Sequence, residues 1–395
     1  MKTQVKRIAI EGNEAAALAF KQVNPDVVAA YPITPSTEVV QKFSEYVANG
    51  EVDTEFVPVE SEHSAMSACI GAAAAGARVM TSTASQGLAL MWEMLYIASA
   101  LRLPIVMSVA NRALSAPINI HGDHSDAMGA RDSGWIQIFS ENVQEIYDNI
   151  FQAVKIAEHP DVRLPVMVGY DGFITSHSEE MIEVLDDEVV RNFIGKYKPQ
   201  YTLLDVDNPI AVGPLALTDS YFEFKVAQAH ALENSLPIIK HVGKEYGDIT
   251  GRYYDVIEKY KTEGAEYIIV AMSSTVGTAR EVVDALREKG LPVGLLKIRV
   301  FRPFPTEDII NALKDAKVIG ILDRSMVPGS FGGPLYHEIT SAFYHYDKRP
   351  IAQAYVYGLG GRDITTQHIE KVFEELMDIG KKGKPNHLTY IGVRE

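Results

Sequence analysis

Two glutamates stand in a pattern that suits acid–base chemistry. Glu60 and Glu62 follow an apolar, strand-like run, and the segment after them, S-A-M-S-A-C-I-G-A-A-A-A-G, consists almost entirely of small residues. A helix of small residues packs close to a neighbouring backbone, so a carboxylate at its start is poorly solvated. We predict that Glu62 is an acid–base residue that acts on a bound cofactor.

A second polar position lies in the loop after an apolar strand. The segment Y-P-I-T-P-S-T-E places a proline on each side of Thr34, and Ser36 or Thr37 can cap the helix predicted over residues 38–48. Loops at strand ends are where α/β proteins hold ligands. Helix capping explains Ser36 and Thr37, but it does not explain why prolines on both sides make the loop around Thr34 rigid. We therefore predict a ligand-binding role for Thr34.

An arginine follows another buried strand. The strand is predicted over residues 103–109, and Arg112 comes three residues later. A guanidinium group at the carboxyl end of a strand suits a carboxylate or a phosphate. The alternative is an ion pair within the chain, with Asp123 or Asp126 as the partner.

A long polar loop follows Arg112, over residues 117–137. Loops of this length in a compact domain are usually functional or form an interface. Its acids and histidines are of the types that bind metals, but a hydrogen-bonded polar loop is the interpretation we favour. These side chains are His121, Asp123, His124 and Asp126.

Composition excludes several classes of protein. The 395 residues carry a formal net charge of −15, which argues against non-specific binding of nucleic acid. The start has no signal-peptide pattern, and no apolar run is long enough to span a membrane, so we expect a cytoplasmic protein. The single cysteine, Cys69, excludes a disulfide or an iron–sulfur cluster held by this chain alone, and we predict that it is a buried packing residue.

Strands and helices alternate along most of the chain, which predicts mostly parallel sheets in two domains. We place the first domain at residues 1–240 and the second at 251–395, with an irregular, partly helical connector at about 175–250 and a helix at 251–262. Glycine-rich turns at 328–334 and 357–363 match no nucleotide-binding motif. Structural turns or an interface explain them better than phosphate binding by the arginines beside them, Arg302, Arg324 and Arg362.

Several motifs in one order resemble a known family. They are Y-P-I-T-P-S-T-E, E-S-E-H-S-A-M-S-A-C-I-G, N-R-A-L-S-A-P, R-D-S-G-W-I-Q, D-G-F-I-T-S-H and G-L-G-G-R-D. Together they resemble the alpha subunit of 2-oxoacid:ferredoxin oxidoreductases of the pyruvate type, over essentially the whole chain. The resemblance implies a thiamine-diphosphate-binding fold, with a pyrimidine-binding domain followed by a domain like the transketolase C-terminal domain.

The resemblance also implies roles for the residues above. Glu62 would bond N1′ of thiamine diphosphate, and Gly71 lies nine positions on, as in other thiamine enzymes. Arg112 would hold the substrate carboxylate, and Thr34 would contact the substrate or the cofactor ring. The residues expected to bind the cofactor are Tyr31, Pro32, Thr34, Glu62, Ser85 and Gln86, and no metal ligand is expected.

The motifs that are missing predict partners. Thiamine enzymes hold Mg²⁺ and the diphosphate with a G-D-G sequence, which this chain lacks. The resemblance therefore implies a hetero-oligomer of anaerobic metabolism, in which beta-, gamma- and delta-type subunits supply Mg²⁺ and the iron–sulfur clusters. Pyruvate, coenzyme A and ferredoxin are the expected reactants. The alternatives are another small 2-oxoacid, such as 2-oxoisovalerate or oxalate, and a non-catalytic scaffold subunit; 2-oxoglutarate is disfavoured by N-R-A-L-S-A-P.

Overall fold

The computed structural model describes residues 6–394. Residues 1–5, on which part of the expectation about a signal peptide rests, lie outside this range. The first half of the chain forms, in order, β1 (Lys6–Glu11), α1 (Gly12–Val23), β2 (Val27–Ala30), α2 (Thr37–Ala48), β3 (Glu55–Pro58), α3 (Glu62–Ala74), β4 (Val79–Thr83), α4 (Ser85–Leu90), α5 (Trp92–Ala100), β5 (Ile105–Asn111), α6 (Ser125–Gly129), β6 (Ile136–Phe139), α7 (Val143–Ala157), β7 (Val166–Asp171), β8 (Glu179–Val184) and α8 (Asp187–Ile194).

The second half begins with a helix of 30 residues. Its elements are α9 (Tyr221–Thr250), β9 (Ile257–Tyr260), β10 (Tyr267–Ala271), α10 (Thr275–Glu288), β11 (Val293–Ile298), β12 (Val300–Arg302), α11 (Thr306–Leu313), β13 (Val318–Asp323), α12 (Pro334–Ala342), β14 (Ile351–Tyr357), a 3-10 turn (Leu359–Gly361), α13 (Thr366–Lys382) and β15 (Thr389–Ile391).

Two large sheets organise most of these elements, and β1 pairs with β8 in a separate two-stranded antiparallel sheet. The N-terminal sheet has the order β12-β6-β7-β5-β4-β2-β3, and only the β12–β6 pair is antiparallel. The C-terminal sheet has the order β15-β14-β13-β10-β11-β9, with β9 as its antiparallel edge. Strands β4, β5 and β7 are buried along their whole length, as expected of parallel strands covered on both faces. The predicted α/β architecture with mostly parallel sheets is confirmed.

The region predicted as an irregular connector is more regular than its sequence indicates. Strand β8 and helices α8 and α9 occupy most of residues 175–250, and the longest stretch without helix or strand is 195–220. Pro237 lies inside α9 without ending it. Two glycines of this helix, Gly243 and Gly247, allow the aromatic segment at Tyr253 and Tyr254 to lie directly against it.

The helix predicted over residues 251–262 is wrong, because β9 lies there. Its four residues, I-E-K-Y, pair antiparallel with Leu295–Ile298 of β11. Pairing along an open sheet edge outweighs the moderate helix propensity of such a segment.

Helix α3 packs as its small side chains predict. Ala65, Met66 and Cys69 are fully buried beneath the neighbouring strands, and the Cys69 sulfur lies 4.0 Å from the carbonyl oxygen of Ala29. Burial raises the pKa of the Cys69 thiol to about 12, so the thiolate is not populated at neutral pH. The prediction that Cys69 is a packing residue is confirmed.

Buried charges join the two sheets. The Lys297 ammonium group, at the end of β11, donates to Glu141 over 2.7 Å and also to Glu145. Arg280 of α10 donates to Glu141 over 2.8 Å. The carboxylates of Glu141, Glu145 and Glu258 lie close enough together to suit a cation, and the lysine takes that place. Their attraction outweighs burial and raises the pKa of Lys297.

Candidate active site

The predicted site residues follow the carboxyl ends of four neighbouring parallel strands. The strands lie in the order β5-β4-β2-β3. Arg112 follows β5, Ser85 follows β4, Thr34 follows β2 and Glu62 begins the helix after β3. Parallel strands bring their carboxyl ends to one edge of a sheet, so residues up to 78 positions apart come together there, such as Thr34 and Arg112.

Glu62 is the first residue of α3, and the turn before it fixes its direction. Ser61 is the N-cap, and its hydroxyl accepts a hydrogen bond from the Ser64 N–H over 3.2 Å. The Glu62 side chain is buried, and no described residue hydrogen-bonds its carboxylate. Glu60, in contrast, is exposed and accepts from the Ser64 hydroxyl. The two glutamates therefore differ in burial and in hydrogen bonding, and the role of Glu62 stays a prediction.

Gly87 leaves room for the Glu62 carboxylate. A Cβ atom on Gly87 would lie 2.8 Å from Oε1 of Glu62 and 2.4 Å from the hydroxyl of Thr83. The Thr83 hydroxyl is itself buried, and no described residue bonds it. The carboxylate and the hydroxyl thus both lie against Gly87 without a hydrogen-bond partner among the described residues, and a buried hydroxyl without a partner is costly. Sequence reasoning missed Thr83. Its position as the last residue of the buried strand β4 could have identified it.

Arg112 is buried and has no carboxylate partner among the described residues. Its Nε donates to the carbonyl oxygen of Asn119 over 2.8 Å, and its Nη1 donates to that of Thr34 over 2.9 Å. Burial lowers the pKa of Arg112, and the charge of Asp126 opposes this effect. The alternative of an ion pair with a local acid is wrong, because Asp123 bonds Ser125 and the Gly360 N–H, and Asp126 bonds three main-chain N–H groups and the Asn111 amide. Among the described residues, the guanidinium group is therefore held by main-chain carbonyl oxygens.

Asp126 connects the segments that carry the site. One carboxylate oxygen accepts from the main-chain N–H groups of Ser85 and Arg112, each over 2.9 Å. The other accepts from the Asn111 amide over 2.9 Å and from the N–H of Ala127 over 2.7 Å. Four donors on one buried carboxylate fix the ends of β4 and β5 relative to each other. These bonds agree with the hydrogen-bonded polar loop that the sequence favoured, although the partners of Asp126 were not predicted.

Replacement of Asp126 by asparagine is expected to change how stability depends on pH. Burial raises the pKa of Asp126 to about 6, above its usual value of 3.8. The folded protein therefore takes up a proton as the pH falls below 6, which adds stability on the order of 1 kcal/mol by pH 5. The variant lacks this gain, so its unfolding temperature should fall further behind the native one at pH 5 than at pH 7. The same substitution at exposed Asp132 should leave the gap unchanged between the two pH values; an equal gap for Asp126→Asn would contradict the assignment.

The other predicted cofactor residues line the same edge with different exposure. Tyr31, Pro32 and Thr34 are exposed, and Gln86 is half-buried. Ser85 is buried and has a left-handed φ of 45°. Its hydroxyl donates over 2.6 Å to the carbonyl oxygen of Ala113, so within the chain it serves to hold two loops together.

Behind the polar loop, buried charges link it to the C-terminal sheet. His124 bonds Asp171 at the end of β7 over 2.8 Å, and Arg324 at the end of β13 bonds the same carboxylate over 3.0 Å. Burial alone would raise the pKa of Asp171, but the charges of Arg324 and His124 hold it well below its usual range.

The arginines beside the glycine-rich turns have partners within the chain, which supports the structural explanation of these turns. Arg324 bonds the Asp171 carboxylate, and Arg302 bonds Glu338 over 2.5 Å. Arg362 is exposed and donates to the carbonyl oxygen of Gly392 over 3.3 Å.

Two family models match most of the chain. The model described as "Pyruvate flavodoxin/ferredoxin oxidoreductase, thiamine diP-bdg" matches residues 18–244. The model described as "Pyruvate:ferredoxin oxidoreductase core domain II" matches residues 265–369.

Similar proteins match over the full length. The chain is 53% identical over 397 residues to pyruvate synthase subunit PorA of Thermotoga maritima, with 100% of both chains covered. It is 48% identical to the protein of the same name from Methanocaldococcus jannaschii, again with 100% of both covered. It is 45% identical to ketoisovalerate oxidoreductase subunit VorA of Pyrococcus horikoshii, with 96% of both covered.

Solved structures share the fold. A 2-oxoglutarate:ferredoxin oxidoreductase from Magnetococcus marinus has a TM-score of 0.73 at 23% identity, covering 94% of this chain and 65% of that one. A split-gene transketolase has a TM-score of 0.57 at 12% identity, covering 94% and 99%. Both likenesses concern the fold alone, and they fit the predicted thiamine-diphosphate-binding architecture. The family models and the full-length relatives show that the chain belongs to the pyruvate:ferredoxin oxidoreductase family.

Proposed function

We propose that the chain is the alpha subunit of a thiamine-diphosphate-dependent pyruvate:ferredoxin oxidoreductase. The complex converts pyruvate and coenzyme A to acetyl-coenzyme A and carbon dioxide, reversibly, and passes two electrons to ferredoxin. The observation that carries the proposal is the buried guanidinium group of Arg112, which has no carboxylate partner within residues 6–394 and lies at the same sheet edge as Glu62. A buried cation of this kind is stabilised when the carboxylate of a 2-oxoacid pairs with it.

The aminopyrimidine ring of thiamine diphosphate would suit the polar groups beside Glu62. A ring with both donor and acceptor nitrogens can satisfy the Glu62 carboxylate and the Thr83 hydroxyl, which lack partners in the described chain. Gly87 has no side chain to occupy the space between them. When bound, the cofactor supplies a nucleophilic carbon and an electron sink for the loss of carbon dioxide.

Each proposed site residue then has a defined role. Glu62 holds a proton at N1′ of the ring and thereby sets which tautomer the ring adopts. Arg112 binds the carboxylate of the 2-oxoacid and orients it beside the ring. Thr34, whose carbonyl oxygen is already bonded to Arg112, presents its exposed side chain to the substrate or the ring. Tyr31, Pro32, Ser85 and Gln86 complete the wall on this chain's side.

We propose that partner subunits complete the site. Beta-, gamma- and delta-type chains would bind the diphosphate, Mg²⁺ and the iron–sulfur clusters, and the complex would work in the cytoplasm with ferredoxin. Gly71 supports such an interface: a Cβ there would meet no atom within 4 Å, so this helical glycine costs about 1 kcal/mol without any packing benefit inside the chain. Several apolar side chains of residues 195–220 are also exposed and could pack against a partner subunit. Among them are Leu204 at 72%, Val206 at 86% and Leu215 at 88% exposed.

The proposed domain boundary follows the two matched regions. We propose residues 1–240 as the pyrimidine-binding domain and 251–395 as the domain like the transketolase C-terminal domain. The two family models end and begin near this boundary, at residues 244 and 265. Among residues 6–394, no helix is long and apolar enough to cross a bilayer.

Initial rates with different 2-oxoacids test the substrate. The reassembled complex should reduce a viologen dye faster with pyruvate than with 2-oxoisovalerate, 2-oxoglutarate or oxalate, each assayed with coenzyme A. 2-Oxoisovalerate is the strongest competitor, because a relative named as a ketoisovalerate oxidoreductase is 45% identical. A higher kcat/KM for any of the other three acids would overturn the choice of pyruvate.

Arg112→Lys in the same assay tests the carboxylate site. A lysine keeps the charge but cannot reach both carbonyl oxygens that fix the guanidinium group. We expect KM for pyruvate to rise by about 10- to 100-fold, the effect of losing a hydrogen bond to a charged group. The KM for coenzyme A should stay within about twofold; equal changes in both would contradict the assignment.

A further inference from the structure

The position of Arg112 depends on a loop that has no secondary structure of its own. Two carbonyl oxygens hold its guanidinium group, and one of them belongs to Asn119. Residues 112–124 form neither helix nor strand. A segment of this kind keeps a fixed carbonyl direction only if other elements fasten it.

The fastening comes from the C-terminal sheet. The turn after β14 contains Gly360 and Gly361, and its main chain makes three hydrogen bonds to the loop. The Asn119 amide donates to the carbonyl oxygen of Gly360 over 3.1 Å, and the Gly360 N–H donates to the Asp123 carboxylate over 3.1 Å. The Gly361 N–H donates to the carbonyl oxygen of Gly122 over 2.7 Å.

Asn119 connects this turn to the arginine. Its carbonyl oxygen accepts from Arg112, its side-chain amide donates to Gly360, and its side-chain oxygen accepts from the N–H of His121 over 2.7 Å. Asn119 therefore links the position of the C-terminal turn to the position of the guanidinium group. A shift of the turn would move the carbonyl oxygen that fixes Nε.

The turn can approach so closely only as glycine. Gly360 and Gly361 have left-handed φ values of 60° and 77°. A Cβ atom would lie 2.4 Å from the Asn119 amide nitrogen at position 360 and 2.4 Å from the Cβ of His121 at position 361. Side chains at these positions would push the loop away.

We infer that the C-terminal domain positions the substrate-binding Arg112 through Asn119, which is held by the glycine turn at residues 360–361. This inference rests on the proposed role of Arg112 in binding the 2-oxoacid carboxylate. It assigns Asn119 and Gly360 as positioning residues and gives the C-terminal domain a part in substrate affinity, although it contributes none of the residues predicted to bind substrate or cofactor.

The test compares two glycine-to-alanine variants of the assembled complex. Gly360→Ala puts a side chain on a residue with a left-handed φ, and its methyl group clashes with the side-chain amide of Asn119. Gly383→Ala strains a similar position, with a φ of 75°, where a Cβ would meet nothing within 4 Å. We expect Gly360→Ala to raise KM for pyruvate by about 10-fold or more, with kcat and KM for coenzyme A within about twofold. Gly383→Ala should leave all three unchanged.

Asn119→Ala provides a second measurement that does not depend on glycine strain. It removes the bond to Gly360 but keeps the carbonyl oxygen that faces Arg112, so KM for pyruvate should rise several-fold with kcat preserved. In the Asn119→Ala background, Gly360→Ala should add less than it does alone, because the group that the new methyl strikes is gone.

The outcomes separate this inference from the proposed function. If Arg112→Lys raises KM for pyruvate while Gly360→Ala and Asn119→Ala match Gly383→Ala, the positioning role is refuted and the proposed function stands. If Arg112→Lys leaves KM for pyruvate unchanged, the carboxylate role of the arginine is refuted, and the positioning role with it.

Discussion

Replacing Glu62 by glutamine is expected to slow pyruvate oxidation by the assembled complex by roughly 10²- to 10⁴-fold, the usual contribution of a positioned acid–base group. Glutamine keeps the shape of the side chain but cannot hold and release a proton at N1′ of thiamine diphosphate. Because no described residue hydrogen-bonds the Glu62 carboxylate, the change should cost little in folding, and the unfolding temperature should stay close to that of the native protein. The measurements are viologen reduction with pyruvate and coenzyme A, and exchange of labelled carbon dioxide into pyruvate.

Glu60→Gln is the matched control for this substitution. Glu60 lies two positions away on the same turn, but it is exposed and bonds the Ser64 hydroxyl. The control should keep both activities near the native rate. If Glu62→Gln retained them as well, the chain would be a scaffold that has kept the fold without the chemistry.

Parallel topology explains why the residues that the sequence predicts for the site lie together in the structure. Thr34, Glu62, Ser85 and Arg112 each stand shortly after an apolar strand run, and such a run is a local signal. Once four strands are parallel and adjacent, their carboxyl ends must share one edge, whatever the distance along the chain. The family resemblance grouped these residues in advance, and the local pattern together with the parallel topology explains why they lie at one edge although they are far apart in sequence.

The residues that position the site could not be predicted in the same way. Asp126 was recognised as an acid, but its four donors come from three different segments, and only the folded loop brings them together. Asn119 is one polar residue among many in an irregular loop, and its partner Gly360 is 241 positions away. Side-chain hydrogen bonds of this kind carry no periodicity, so a single sequence does not reveal them.

Local propensity also misled where tertiary pairing decides. Residues 257–260 are polar enough to extend a helix, yet they add the edge strand β9 to the C-terminal sheet. Helix α9 continues past Pro237, and its packing against Tyr253 and Tyr254 depends on Gly243 and Gly247. In both places the backbone follows contacts with other segments rather than its own preferences.

Replacing Lys297 by methionine is expected to destabilise the protein by about 3–5 kcal/mol. The substitution leaves the carboxylates of Glu141 and Glu145 buried without the ammonium group that lies between them. Arg280 still bonds Glu141 in the variant, and its other partner is the more exposed Glu258. It does not bond Glu145, which therefore loses its basic partner. Thermal and urea unfolding at pH 7 measure the loss.

The pH dependence of this loss identifies its cause. In the native protein burial raises the pKa of Glu141, whereas the charge of Lys297 outweighs burial at Glu145 and lowers its pKa; removal of Lys297 raises the pKa of both carboxyl groups. The folded variant then takes up protons that the unfolded chain does not, so its deficit should shrink as the pH falls from 7 to 5. Lys348→Met removes an ion pair whose two side chains are each 76% exposed and should cost at most about 1 kcal/mol. A deficit for Lys297→Met that is equally small, or that grows as the pH falls, would show that the network does not hold the two sheets together by charge.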